Sequence, residues 1–225
     1  MPQELNLIQQ LAVFVLPLIF AITVHEAAHG WVADRLGDHT ARAMGRVTIN
    51  PIPHIDPVGT IIVPLALYAM TTLAGGGGLI FGWAKPVPIN PRHFSNYRRD
   101  MALTAAAGPA SNFIMLLIWA LLLRLSVGME GSAGWFAQPL AYMAVGGILI
   151  NAILMVLNLL PILPLDGGRV LASLLPPRLS LSYAKLEPWG LFILIGLMVT
   201  GILWPIMAPM LQLVQSLAYS VAGLL

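Results

Sequence analysis

Residues 5–29 read LNLIQQLAVFVLPLIFAITVHEAAH, and no residue from Leu5 to Val24 carries a charge. The stretch is long enough to cross a bilayer as a helix, which takes about 20 apolar residues. At its far end stand His25, Glu26 and His29. Residues four apart share one face of a helix, so His25 and His29 can offer two imidazole nitrogens to one metal ion. Glu26, beside the first of them, can take a proton from a water held by that ion. This is the HExxH spacing used to bind zinc. Ionisable groups inside an apolar span are costly and rarely present without a role. A five-residue pattern also arises by chance on the rim of a core helix, so the metal reading needs a third donor.

Composition fixes the broad class. The 225 residues are 58% hydrophobic and 9% charged, with a mean hydropathy of +0.85, far from the soluble range. A net charge of +2 is too small to point to nucleic acid. The chain has no cysteine, so disulfides and thiolate metal sites are excluded. The N-terminal MPQELNLIQQ has no basic residue and no small-residue cleavage site follows the apolar run, so a retained first span is expected.

Five stretches lack Asp, Glu, Lys and Arg: 5–25, 57–84, 101–123, 131–165 and 188–225. They predict spans near 7–34, 101–124, 140–161, 189–205 and 207–224. A sixth segment, 58–80, either crosses or re-enters. Basic clusters flank that segment: Arg35, Arg42 and Arg46 before it, Lys85, Arg92, Arg98 and Arg99 after it. The positive-inside rule favours an even number of crossings between the two clusters, with Arg169, Arg178 and Lys185 on the same cytoplasmic side. The expected fold is an all-α polytopic membrane protein of about five to six transmembrane helices, with short membrane-associated β-strand or re-entrant segments. One membrane-embedded domain over 1–225 is expected, with a core at about 7–175 and a C-terminal helical hairpin at about 188–225.

The third donor appears in NLLPILPLDGG, residues 158–168. Asp166 is the one acidic residue between Glu130 and Glu187, at the end of a long apolar span. Pro161 and Pro164 break regular helix, and Gly167 and Gly168 permit close backbone approach. By itself Asp166 reads more readily as the cap of a short helix at 167–175. Beside an intramembrane HExxH, it completes a His25, His29, Asp166 triad with a fourth position open to water.

With these residues in view, the chain resembles the site-2 proteases, zinc metalloproteases that cut substrates within the membrane. HEAAH, AAGPASN at 106–112 and NLLPILPLDGG look like the family's three hallmarks in order, over roughly residues 7–175. FGWAKPVPINP at 81–91 and NPIPHIDPVGT at 50–60 resemble stretches of its compact branch. The interval 124–139 cannot hold a PDZ domain, and the apolar residues beyond the DG motif leave no nucleotide-sensing tail. The resemblance implies one zinc on His25, His29 and Asp166, Glu26 as catalytic base, and single-span membrane proteins as substrates.

Several further expectations follow. His29 and His25 lie about 9 and 15 Å inward of Arg35 at 1.5 Å per residue, so water needs a polar path. Asn158, Asn112, Ser111 and Thr23 can line it. Asn158 is the better candidate for holding substrate or an oxyanion, and Asn112 divides evenly between that role and ordinary interhelical hydrogen bonding. Residues 42–49 alternate loosely and suit an interfacial strand, and Trp83–Pro88 is extended; such strands either clamp an unwound substrate or pack against helices. His54 and Asp56 read as loop and cap residues before a second metal site, and His39 and His93 as solvated. Gly75–Gly78 is a hinge or a connector, and Trp119, Trp135, Trp189 and Trp204 read as interfacial anchors. A metal-ion transporter is the rival reading, although a transporter calls for further ionisable groups along its path.

Overall fold

The computed structural model describes residues 7–63, 65–66, 69–70, 82–129 and 134–225. Regular structure among them is helical: α1 (Leu7–Arg35), α2 (Thr40–Ala43), α3 (Tyr97–Gly128), α4 (Gly134–Asn158), α5 (Asp166–Leu174), α6 (Pro177–Ala184), α7 (Gly190–Val199) and α8 (Leu203–Ala222). Helix satisfies every backbone group within its own segment, which hydrocarbon demands. Four segments are long and apolar enough to cross a membrane: Val13–Arg35, Tyr97–Gly128, Trp135–Asn158 and Pro177–Val199. The chain is an integral membrane protein.

α3 is the central element and packs against α1, α4, α5 and α8. Alanines lie where the long helices touch: Ala21, Ala120, Ala144, Ala152 and Ala218 are all fully buried. Small residues allow the close approach on which helix association in lipid depends. Along α8, Leu203, Met207, Leu211, Val214, Ala218 and Ala222 are buried at helical spacing. The opposite face exposes Trp204, Ile206, Leu213 and Leu217, as a lipid-facing surface does. Trp119, expected as an anchor, instead lies against Gly147 of α4, where a Cβ would stand 2.4 Å from its ring.

Three expectations change. Residues 42–49 form no strand. Gly45 takes φ +65°, its N–H reaches Arg42 O, and Arg46 N–H reaches Ala41 O, which ends α2 in a Schellman turn. A left-handed glycine at that point is incompatible with a continuous strand. The expected span at 189–205 is not one helix: Pro177–Val199 is built from α6, a 3-10 turn at Glu187–Trp189 and α7. The count of qualifying segments is four, not five to six, among the described residues. Most of 58–80, with Gly75–Gly78, lies outside those residues, so its crossing or re-entry is not described.

Buried aspartates organise the loops below α1. His39 and His93, expected as solvated, are exposed, and each also reaches a buried aspartate. His39 Nδ1 lies 2.8 Å from Asp34 and His93 Nδ1 2.9 Å from Asp38. Asp38 also accepts from Thr40 N, Thr40 Oγ1 and Asn90 N, tying residues 38–40 to the 83–91 segment. Burial pushes the Asp38 carboxyl up, but the hydrogen bonds from Thr40, His93 and Asn90 outweigh it and hold the group below its ordinary range. A depressed folded-state pKa contributes stability above the unfolded value, about 3.9, and that contribution is lost as pH falls through the folded value. Asp38→Asn is therefore expected to lower stability by on the order of 2 kcal/mol at neutral pH, with the deficit narrowing progressively below about pH 4. Thermal melts of both proteins across that range check it, and a deficit independent of pH would count against the charge.

Candidate metal centre

α1 delivers His25 and His29 one turn apart, and α5 delivers Asp166 opposite them. The Nε2 atoms of the two histidines are 3.1 Å apart. Asp166 Oδ2 lies 3.2 Å from His25 Nε2, and Asp166 Oδ1 lies 3.3 Å from His29 Nε2. All three side chains are buried, and they are the one such group of three donors among the described residues.

The outward nitrogens decide what this cluster can do. His25 Nδ1 donates to Asn112 Oδ1 at 2.6 Å, and His29 Nδ1 donates to the Thr104 carbonyl at 2.7 Å. Those bonds fix the proton of each neutral ring on Nδ1 and leave a bare lone pair on each Nε2. Two lone pairs and a carboxylate then face one another, and Asp166 Oδ2 is buried with no hydrogen-bond partner. Such a set is repulsive unless a cation sits among it. Donors about 2.0–2.1 Å from one tetrahedral ion stand about 3.3 Å apart, and the three observed separations fall close to that spacing. The residues fit a zinc ion. The capping alternative for Asp166 is not realised: Leu165 is the N-cap of α5 and no side chain caps it.

The scaffold explains the surrounding motif. A Cβ on Gly108 would stand 2.5 Å from His25 Cε1 and from His29 Nε2, so α3 passes directly over both rings. Asn112, one turn further along α3, donates to Asn151 Oδ1 at 2.9 Å, and Asn151 donates to the Gly147 carbonyl at 2.9 Å. Both asparagines are fully buried. Glu26 Oε2 accepts from Val87 N–H at 2.9 Å. The Val87 segment is itself fastened: Arg46 Nη2 donates to the Lys85 and Pro86 carbonyls, Lys85 N–H to His54 O, and Trp83 N–H to Gly59 O.

YwhC of Bacillus subtilis, named "Putative zinc metalloprotease", is 39% identical to this chain over 199 residues, covering 86% of the chain and 84% of YwhC. The chain belongs to the site-2 protease family. By that membership it is a metalloprotease of the site-2 class. Rip2 of Mycolicibacterium smegmatis, which bears the same designation, is 27% identical over 191 residues, covering 84% of the chain and 68% of Rip2. The regulator of sigma-E protease, RseP of Escherichia coli, is 32% identical over 133 residues, 56% of the chain and 28% of RseP. No family model and no solved structure matches the chain.

In this site-2 protease the other sequence candidates fall elsewhere. Asn158 donates to Leu154 O of its own helix at 3.0 Å, and Ser111 to Gly108 O at 2.7 Å. Asp56 caps the turn Pro57–Ile62 through Val58 and Gly59 N–H, and His54 Nε2 pairs with Thr48 O at 3.1 Å. Neither joins the donor group. Sequence reading missed Asn151, the Thr104 carbonyl, Val87 and the contact role of Gly108. Asn151 carried a usable signal, an amide in the middle of an apolar span. Val87 carried another: between Pro86 and Pro88, neither of which has an N–H, it is the sole amide donor.

Proposed function

We propose that this site-2 protease hydrolyses peptide bonds in or near the transmembrane segments of single-span membrane proteins, using one zinc per chain. The observation that supports the ligand set best is the convergence of three donors whose other polar atoms are already satisfied or orphaned. His25, His29 and Asp166 hold the ion. When bound there, zinc supplies a Lewis acid that polarises a carbonyl and acidifies water. Glu26 accepts the proton of the attacking water and returns it to the leaving amine. Val87 N–H holds one oxygen of that carboxylate and leaves the other free for the proton. Asn112, braced by Asn151, and the Thr104 carbonyl keep the imidazoles turned towards the ion. Asn158, partly buried where α4 gives way to the broken segment 159–165, is the residue we assign to the substrate. The basic clusters around residues 35–46, 85–99 and 169–185 support a site open to the cytoplasmic side. The core at 7–175 carries every residue of this scheme, and 188–225 braces it.

A transporter would need further donors along a path, and the described residues hold one cluster. The test is metal analysis of purified protein with cleavage of a generic single-span substrate. Wild type is expected to carry about one zinc per chain, and Asp166→Ala to lose both metal and cleavage. Undiminished zinc in that variant would remove Asp166 from the ligand set.

A further inference from the structure

Asp166 opens α5, a helix of nine residues. Isolated helices of that length are unstable, so tertiary contacts must hold it in place. Its first turn is seated on the broken segment: a Cβ at Gly167 would stand 2.3 Å from Leu159 O, and one at Gly168 2.6 Å from the Ile162 carbonyl carbon. Its far end is gripped by one side chain. Arg98 Nε donates to Ser173 O at 2.9 Å, and Arg98 Nη2 donates to Leu174 O at 2.9 Å and also to Leu175 O. These carbonyls lack partners within the helix and form the negative end of its dipole, where a guanidinium fork fits best.

Arg98 stands in the first turn of α3. The same helix meets His25 through Asn112 and His29 through Thr104. One element therefore orients both imidazoles and holds the end of the short helix that presents the carboxylate. We propose that Arg98 is a positioning residue for the metal centre, clamping α5 to α3 so that Asp166 meets the histidines at the right distance. The inference rests on the zinc ligand set given above. Metal–donor distances hold to within about 0.2 Å, so a small turn or slide of α5 is enough to weaken the site.

The experiment measures zinc affinity of folded protein in detergent, by competition with a chelator of known affinity. Wild type is compared with Arg98→Ala, Arg98→Lys and Asp166→Ala, and thermal stability of the metal-free forms is recorded separately. Arg98→Ala is expected to bind zinc about tenfold more weakly, the low end of the loss seen when outer support of a metal ligand is removed. Arg98→Lys is expected in between, since an ammonium lacks the planar fork. Asp166→Ala is expected to lose zinc almost entirely. A purely structural arginine would lower the melting temperature of the metal-free form and leave zinc affinity of the folded protein unchanged, and that result overturns the assignment. Should Arg98→Ala fail to fold, Arg98→Lys decides: intermediate affinity supports the clamp, wild-type affinity overturns it. Wild-type zinc affinity in Asp166→Ala overturns the ligand set itself, and the Arg98 assignment with it.

Discussion

Glu26→Gln is expected to keep its zinc and its fold while cleaving a single-span substrate about 10²–10⁴-fold more slowly, the usual cost of losing a general base. The substitution is close to isosteric. The glutamine carbonyl can still accept the Val87 N–H that Glu26 Oε2 accepts at 2.9 Å, so the 83–91 segment has no reason to move. What disappears is the second oxygen, the one able to take a proton. His25 and His29 are untouched, and the metal content should equal that of wild type. The variant is expected to accumulate uncleaved substrate in complex with the enzyme. Single-turnover cleavage beside metal analysis decides it. Turnover near the wild-type rate with zinc bound would refute Glu26 as the base.

Gly108→Ala is expected to be as damaging, by a different route. A Cβ there would lie 2.5–2.6 Å from atoms of both imidazoles, closer than real Cβ contacts come. Turning the rings aside breaks the His25–Asn112 and His29–Thr104 hydrogen bonds. Moving α3 aside carries Asn112 and Thr104 with it, because both belong to that helix. Either response opens the donor set. Overpacking of this kind costs about 1–3 kcal/mol, and cleavage should fall to background with the loss of zinc. Gly196→Ala is the control, since a Cβ there meets nothing within 4 Å. Full zinc occupancy and wild-type cleavage in Gly108→Ala would mean that α3 does not lie over the rings.

Much of this was legible because it is local. The i, i+4 relation of His25 and His29 follows from helical geometry alone, and Asp166 stands out because acids are rare in apolar sequence. Long helices follow from the charge-free stretches. What stayed hidden depends on how helices register against one another, which no local period encodes. Nothing near Asn151 says that it faces Asn112, and nothing near residue 104 says that its carbonyl receives a histidine. The strand at 42–49 failed because a loose alternation was weighed above Gly45, whose left-handed turn ends a helical segment. His39 and His93 are exposed as their polar neighbours suggested, but no local signal told that each would reach a buried aspartate, Asp34 or Asp38. The fourth crossing segment was expected at 189–205, after the last charged residue, but it begins at Pro177 and a 3-10 turn at Glu187–Trp189 divides it into two short helices.

The donor group draws on residues 25, 29 and 166, so more than half of the chain separates its first members from its last. A ribosome adding about 5–20 residues per second needs on the order of ten seconds to cover that interval. Throughout it, the nascent chain offers the two imidazoles without Asp166, an incomplete donor set. On the ligand set proposed above, hydrolytic competence arrives late in biogenesis, once α4 is inserted and α5 has docked. The same ligand set makes half-made copies, and copies truncated before the DG motif, inert in a bilayer crowded with other newly inserted proteins.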